Sequence, residues 1–198
     1  GGACSAGSCD CGRGGGGRIA LYYTADTFTG TVTAHGGWGY RYGGAGTIYR
    51  MADGQSGGTL TIDNNAQSDT LTSLALDEYS LDAVEIRGAR VLFSDEYAFS
   101  GGILTIGPGT AVFDVPVDAS FAPAFAGLTV EDGAVLTHTA NGSDHNYSLI
   151  LDVAGDAAVV EGGSISVTGK GYSNLNGPGA GIRSYYAGGG GGYGGDGG

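Results

Sequence analysis

The sequence predicts an all-β protein: a right-handed parallel β-helix, or β-solenoid, with 20–24 residues per rung and glycine-rich, polyglycine-II-like flanks. Three observations carry that expectation. A short apolar–x–apolar motif returns at near-constant spacing. Glycine crowds residues 1–17, 36–46 and 162–198 and leaves a middle of ordinary globular composition. No segment combines 3.6-residue periodicity with helix-capping signals.

The motif is an apolar–x–apolar triplet, a turn containing Gly, Asp or Asn, and a second apolar pair. It occurs as Val84-Glu85-Ile86 before Gly88 and Val91-Leu92, and as Leu104-Thr105-Ile106 before Gly107-Pro108-Gly109 and Ala111-Val112. It returns as Leu128-Thr129-Val130 before Glu131-Asp132-Gly133 and Val135-Leu136, then as Leu151-Asp152-Val153 before Gly155 and Ala158-Val159. Leu60-Thr61-Ile62 with Asp63-Asn64-Asn65 is an upstream half-copy. First positions at 60, 84, 104, 128 and 151 give steps of 24, 20, 24 and 23 residues. Alternation sends two side chains inward for each one outward, as a strand requires. Gly, Asn and Asp turn the chain sharply because they tolerate positive φ. Strand–turn–strand at this period coils into rungs about 4.8 Å apart, each paired in parallel with the next. Such coils are right-handed because crossovers between parallel strands nearly always are. A β-sandwich fits the strand count, but its hairpins do not enforce one motif at constant spacing.

Upstream, the segments 18–23, 28–34 and 46–50 read as three further strands, and 164–168 closes the series. Residues 18–170 then form the solenoid, about seven rungs or roughly 30 Å long, between a Cys/Gly-rich segment 1–17 and a Gly/Tyr-rich segment 171–198. Pro116, Phe121, Pro123 and Phe125 mark a bulge or protruding loop. The glycine tracts have two readings: a flexible linker, or extended strands of three residues per turn that hydrogen-bond side by side. In the second reading the tracts at 14–17, 36–37, 43–44 and the tail supply the strands, within one chain or between chains. Trp38, Tyr40, Tyr42, Tyr185, Tyr186 and Tyr193 then cover the backbone or stack on sugars, and head and tail meet across subunits.

Charge and cysteine content limit the function. Acids outnumber bases 20 to 8, for a net charge of -12, which excludes a basic nucleic-acid surface. No hydrophobic run approaches the roughly 20 residues of a membrane-spanning helix. The low charged fraction of 14% and frequent Ser and Thr read as extracellular or cell-surface. No signal peptide is visible, and the opening Gly1-Gly2 reads as a piece processed or excised from a longer protein. Cys4, Cys9 and Cys11 crowd the N-terminus, and their odd number points to an intermolecular disulfide. Cys9-x-Cys11 also suits a metal, although no fourth ligand lies nearby.

Catalytic, cofactor-binding and metal residues are expected to be absent. In the repeat, the outward column holds Thr61, Glu85, Thr105, Thr129 and Asp152, which places the two acids about 14 Å apart, too far for a catalytic carboxyl pair. The cluster from Asn141 to Asn146, with Asp144 and His145, reads as a solvated loop, and His35 and His138 show no partner. Calcium is the small ligand best suited to 20 acids and many turn carbonyls, yet neither an EF-hand nor a Gly-Gly-x-Gly-x-Asp repeat is present. An ice-binding face is disfavoured because Glu85 and Asp152 interrupt the threonine column.

The stretches Gly14–Tyr23, Gly43–Tyr49 and Gly169–Tyr172 resemble recurring units of very large glycine-rich bacterial surface proteins, and Leu128–Thr139 resembles β-helical repeats of bacterial adhesins. The resemblance implies a stalk, fibre or adhesin module without catalytic residues. The expected function is a structural subunit of an extracellular fibre or surface stalk whose partners are copies of itself. The alternatives are a module binding surface glycans through Trp38, Tyr40 and Tyr42 and, behind it, a polysaccharide-cleaving enzyme.

Overall fold

The computed structural model describes residues 14–38, 42–68, 70–74, 81–93, 102–119, 122–173, 175–180 and 191–192. The first strands are β1 (Arg18–Tyr23), β2 (Thr47–Ala52), β3 (Gly58–Asp63), β4 (Leu71–Leu74), β5 (Leu81–Arg87) and β6 (Arg90–Phe93). They are followed by β7 (Ile103–Ile106), β8 (Gly109–Pro116), β9 (Ala124–Phe125), β10 (Gly127–Val130) and β11 (Ala134–Thr137). The series ends with β12 (Tyr147–Ser148), β13 (Asp152–Val153), β14 (Ala157–Val159), β15 (Ser164–Ile165), β16 (Gly179–Ala180) and β17 (Gly191–Gly192). No helix occurs among the described residues.

The strands sort into a seven-stranded sheet, β1-β2-β3-β5-β7-β10-β14, and a six-stranded sheet, β15-β11-β8-β6-β4 with β12 against β8. Two two-stranded sheets, β13-β9 and β16-β17, complete the set. In the large sheet, register places Leu60, Val84, Leu104 and Leu128 side by side, with Ile62, Ile86, Ile106 and Val130 two residues on. These residues are buried, and Thr61, Glu85, Thr105 and Thr129 alternate outward between them. Ala111, Phe113, Val115, Val91 and Leu136 of the six-stranded sheet join them in one apolar cluster, so the core lies between the two large sheets. The connection from β10 to β11 turns at Gly133, whose φ of 69° is left-handed and inexpensive only for glycine.

This architecture corrects the expected right-handed parallel β-helix. The sheets mix parallel and antiparallel pairings, and the strands do not trace a closed solenoid of equal rungs. β2 and β3 are antiparallel, as are β12 against β8 and β16 against β17. The reason at β2–β3 is connection length. Residues 53–57 join them through a tight turn, with Gly54 at φ 82° and the Gln55 amide donating to the Ala52 carbonyl at 3.2 Å. Parallel neighbours need a crossover of about a dozen residues, so this link enforces reversal. Residues 28–34, expected as a strand, form none.

The fourth repeat is also displaced. Leu128 pairs with Ala157 and Val130 with Val159, whereas Asp152 and Val153 pair with Ala124 and Phe125 in a separate sheet. Asp152 therefore leaves the outward column, and Ala158 takes its place. The Pro-rich segment is partly ordered pairing: β8 runs to Pro116, and Phe125 packs edge-on against Phe113 at 6.2 Å.

Of the two expectations for the glycine tracts, side-by-side hydrogen bonding holds for those at 14–17, 36–37 and 43–44, and it does so within one chain. At the tail, Gly179–Ala180 and Gly191–Gly192 pair as an antiparallel ladder. At the head, residues 14–17 bond within the chain: Gly16 N to Gly44 O at 2.9 Å, Gly37 N to Gly14 O at 2.9 Å and Thr47 N to Gly17 O at 3.1 Å. Only glycine fits this contact, since a Cβ on Gly46 would lie 1.8 Å from the Gly17 carbonyl oxygen. Buried Asn64 fastens the layer to β3. It accepts from Gly36 N at 2.8 Å and donates to the carbonyls of Gly43 at 3.0 Å and Gln67 at 2.6 Å.

Candidate functional site

Three groupings of polar or aromatic side chains among the described residues bear on function: a buried ion pair, a polar loop and an open cleft. At the first, Asp114 on β8 is fully buried and accepts from Arg90 Nε at 2.9 Å, Thr139 N at 2.6 Å and Thr139 Oγ1 at 2.7 Å. Every contact satisfies a charge that would otherwise be costly to bury. The group ties β6 and the segment after β11 to β8, and it is a structural joint.

The second place is the loop after β11. Buried Asn141 accepts from the amides of Asn146 and Tyr147 at 2.8 and 2.9 Å and donates to the Tyr147 carbonyl at 3.0 Å. Its own amide donates to the Lys170 carbonyl at 3.0 Å. The loop is thus organised around a buried asparagine rather than simply solvated. His145 Nε2 lies 3.1 Å from Ser148 Oγ, and the His145 ring is 6.0 Å from that of Tyr172. The Asp144 carboxylate accepts from Ser143 Oγ at 3.0 Å. The two histidines expected to lack partners have them: His35 Nε2 is 3.7 Å from Asp63 Oδ1, and His138 Nδ1 is 2.7 Å from the Thr139 carbonyl.

The third place is a cleft of about 640 Å³ between β1, the segment after it and Arg50 of β2. The segment is pinned at its start, where Thr24 Oγ1 donates to Asp53 Oδ2 at 2.6 Å and Asp53 N donates to the Tyr23 carbonyl at 2.8 Å. Asp26 Oδ1 then accepts from Phe28 N at 3.0 Å, the local turn that aspartate forms with the amide two residues on. This turn replaces the strand expected at 28–34. It leaves Phe28 63% exposed and Tyr22 67% exposed on the cleft.

The predicted site residues fall elsewhere. Trp38 is 72% exposed but lies outside the cleft. Tyr42 is half-buried, and its carbonyl accepts from Thr70 Oγ1. Tyr40, Tyr185, Tyr186 and Tyr193, with Cys4, Cys9 and Cys11, lie outside the described residues. Tyr22, Asp26, Phe28 and Arg50 were not singled out by sequence. Their readable signal was the Asp26-x-Phe28 turn ahead of Gly30, which was hidden by the strand-like alternation of residues 28–34.

Among the described residues, no three His, Cys, Asp or Glu side chains are grouped to hold a metal. No helix among them is long and apolar enough to cross a membrane. Compared with family models, with curated proteins and with solved structures, the chain matches none.

Proposed function

We propose that the chain is a structural subunit of an extracellular fibre or surface stalk that associates with copies of itself through the open ends of its sheets. One observation carries this reading. β14 and β15 close the same end of the two large sheets, each paired on one side only among the described residues. They leave Val159 49% and Ile165 45% exposed, with Val160 and Val167 exposed beside them. An unpaired strand edge is a template for another chain, and exposed apolar side chains beside it favour the same contact. The buried polar groups Asp114, Asn141 and Asn64 are all consumed in holding strands and loops, which suits a mechanical role.

Strand direction limits how copies join. The large sheet reverses between β2 and β3, so β1 runs opposite to β14. Copies related by translation along the stack bring β14 of one beside β1 of the next in antiparallel pairing, an open heterologous contact that propagates. Because the head glycines bond within their own chain, sheet edges rather than the head tract supply the junction.

Sedimentation velocity over a concentration series tests the junction. The wild-type chain is expected to grow with concentration, and a Val159→Lys/Ile165→Lys variant, with an unchanged circular dichroism spectrum, to stay monomeric. A wild-type chain that sediments as a monomer up to millimolar concentration in screening salt contradicts the reading.

A further inference from the structure

We infer that the junction between copies is keyed by charge: β1 of one copy pairs with residues 156–161 of the next in the register that sets Arg18 against Glu161. The inference rests on the sheet-edge assembly proposed above and names the contact that selects its register.

Backbone phase and side-chain face restrict the pairing first. On β1, the Gly17 and Tyr23 carbonyls accept from Thr47 N and Asp53 N, toward β2. Alternation along the strand then turns the amides and carbonyls of Arg18, Ala20 and Tyr22 to the free edge. On β14, the Asp156 carbonyl accepts from Leu128 N and Val160 N donates to the Val130 carbonyl, toward β10. Ala157 and Val159 therefore face the free edge. The same residues lie on the core side of the sheet. Ala20 is opposite Tyr49, which is opposite buried Leu60, and Ala157 and Val159 are opposite Leu128 and Val130. A ladder that continues both the hydrogen bonds and the core must pair Ala157 and Val159 with two of Arg18, Ala20 and Tyr22, or run off the end of β1.

Size and charge choose among the registers left. Pairing Tyr22 with Ala157 and Ala20 with Val159 sets a larger side chain against a smaller one at each position, and the next pair is Arg18 with Glu161. Shifted by two residues one way, Ala20 meets Ala157 and Arg18 meets Val159. That leaves a gap at one pair and covers a guanidinium with an apolar side chain at the other, which is costly without an ionic partner. Shifted the other way, Tyr22 crowds Val159 and Arg18 meets Gly163. Arg18 and Glu161 are both exposed, and neither makes an ion pair with a described residue. A charge on the core side of an edge strand discourages any partner strand that lacks its complement, and specificity of this kind comes from the pairings it penalises.

Sedimentation velocity of full chains tests the key. Arg18→Glu and Glu161→Arg each set like charges opposite, and each is expected to weaken self-association by about tenfold. An equimolar mixture of the two variants should recover wild-type growth, because every junction between unlike chains then joins opposite charges. The chain carrying both reversals should associate alone. Arg87→Glu changes net charge as Arg18→Glu does, but on the central strand β5, and should have little effect. Circular dichroism of each variant should match wild type, since these side chains are exposed. Self-association that survives Arg18→Glu, that falls equally in Arg87→Glu, or that the mixture does not recover overturns the register. If Val159→Lys/Ile165→Lys still abolishes growth in that case, the sheet-edge junction stands without the key. A wild-type chain that stays monomeric overturns the junction and the register together.

Discussion

At the residue scale, Asp114 and Gly46 show how closely single positions are specified. Asp114 has no contact with solvent and draws three hydrogen bonds, one from a guanidinium. Removing its carboxylate leaves Arg90 and the Thr139 amide unpaired. Asp114→Ala is therefore expected to lose about 3–5 kcal/mol in urea denaturation, the usual cost of breaking a buried pair, and Asp114→Asn less. An Asp114→Ala protein as stable as wild type would falsify the joint. Gly46 is demanding for steric reasons, because any Cβ there collides with the Gly17 carbonyl. Gly46→Ala should lower the melting temperature measurably, whereas Gly142→Ala, with nothing within 4 Å of its added Cβ, should not. The frequency of glycine in the sequence did not separate these two positions; only the approach of another backbone does.

At the element scale, alternation was readable and pairing was not. Leu104 and Ile103 are neighbours on β7, one buried and one exposed. Leu104→Ala should cost about 2–5 kcal/mol and Ile103→Ala within about 0.5 kcal/mol; similar losses for both would contradict the assigned face. The triplets at 60, 84, 104 and 128 lie in adjacent strands because each buries two aliphatics on one face. The next triplet failed for a physical reason: Leu151-Asp152-Val153 and Ala157-Ala158-Val159 carry the same alternation, and only hydrogen-bond register chooses between them. Pairing direction is likewise absent from an alternating pattern, so the β2–β3 reversal had to be read from its short link. The glycine layer hangs on Asn64, which appeared in the sequence only as a turn residue. Asn64→Ala should speed hydrogen exchange at the Gly36 amide, its direct donor, while the β5–β7 amides stay protected; uniform exchange across both regions would show that Asn64 is not the fastener. The cleft was the least legible feature. Phe28 sits in a run whose alternation matches a strand, and the local Asp26 turn overrides that run.

At the scale of the whole molecule, two large sheets share one core and end together in strands with an open edge and exposed valine and isoleucine side chains. In the proposed assembly a stacked copy buries those apolar groups and pairs both open edges. The aromatic cleft lies beside β1 at the other end of the seven-stranded sheet, the edge that the proposed junction takes up. The most direct test of self-association through the sheet edges is electron microscopy of the purified chain at high concentration. Filaments with a regular axial repeat are the expected result. Dispersed single particles would contradict it.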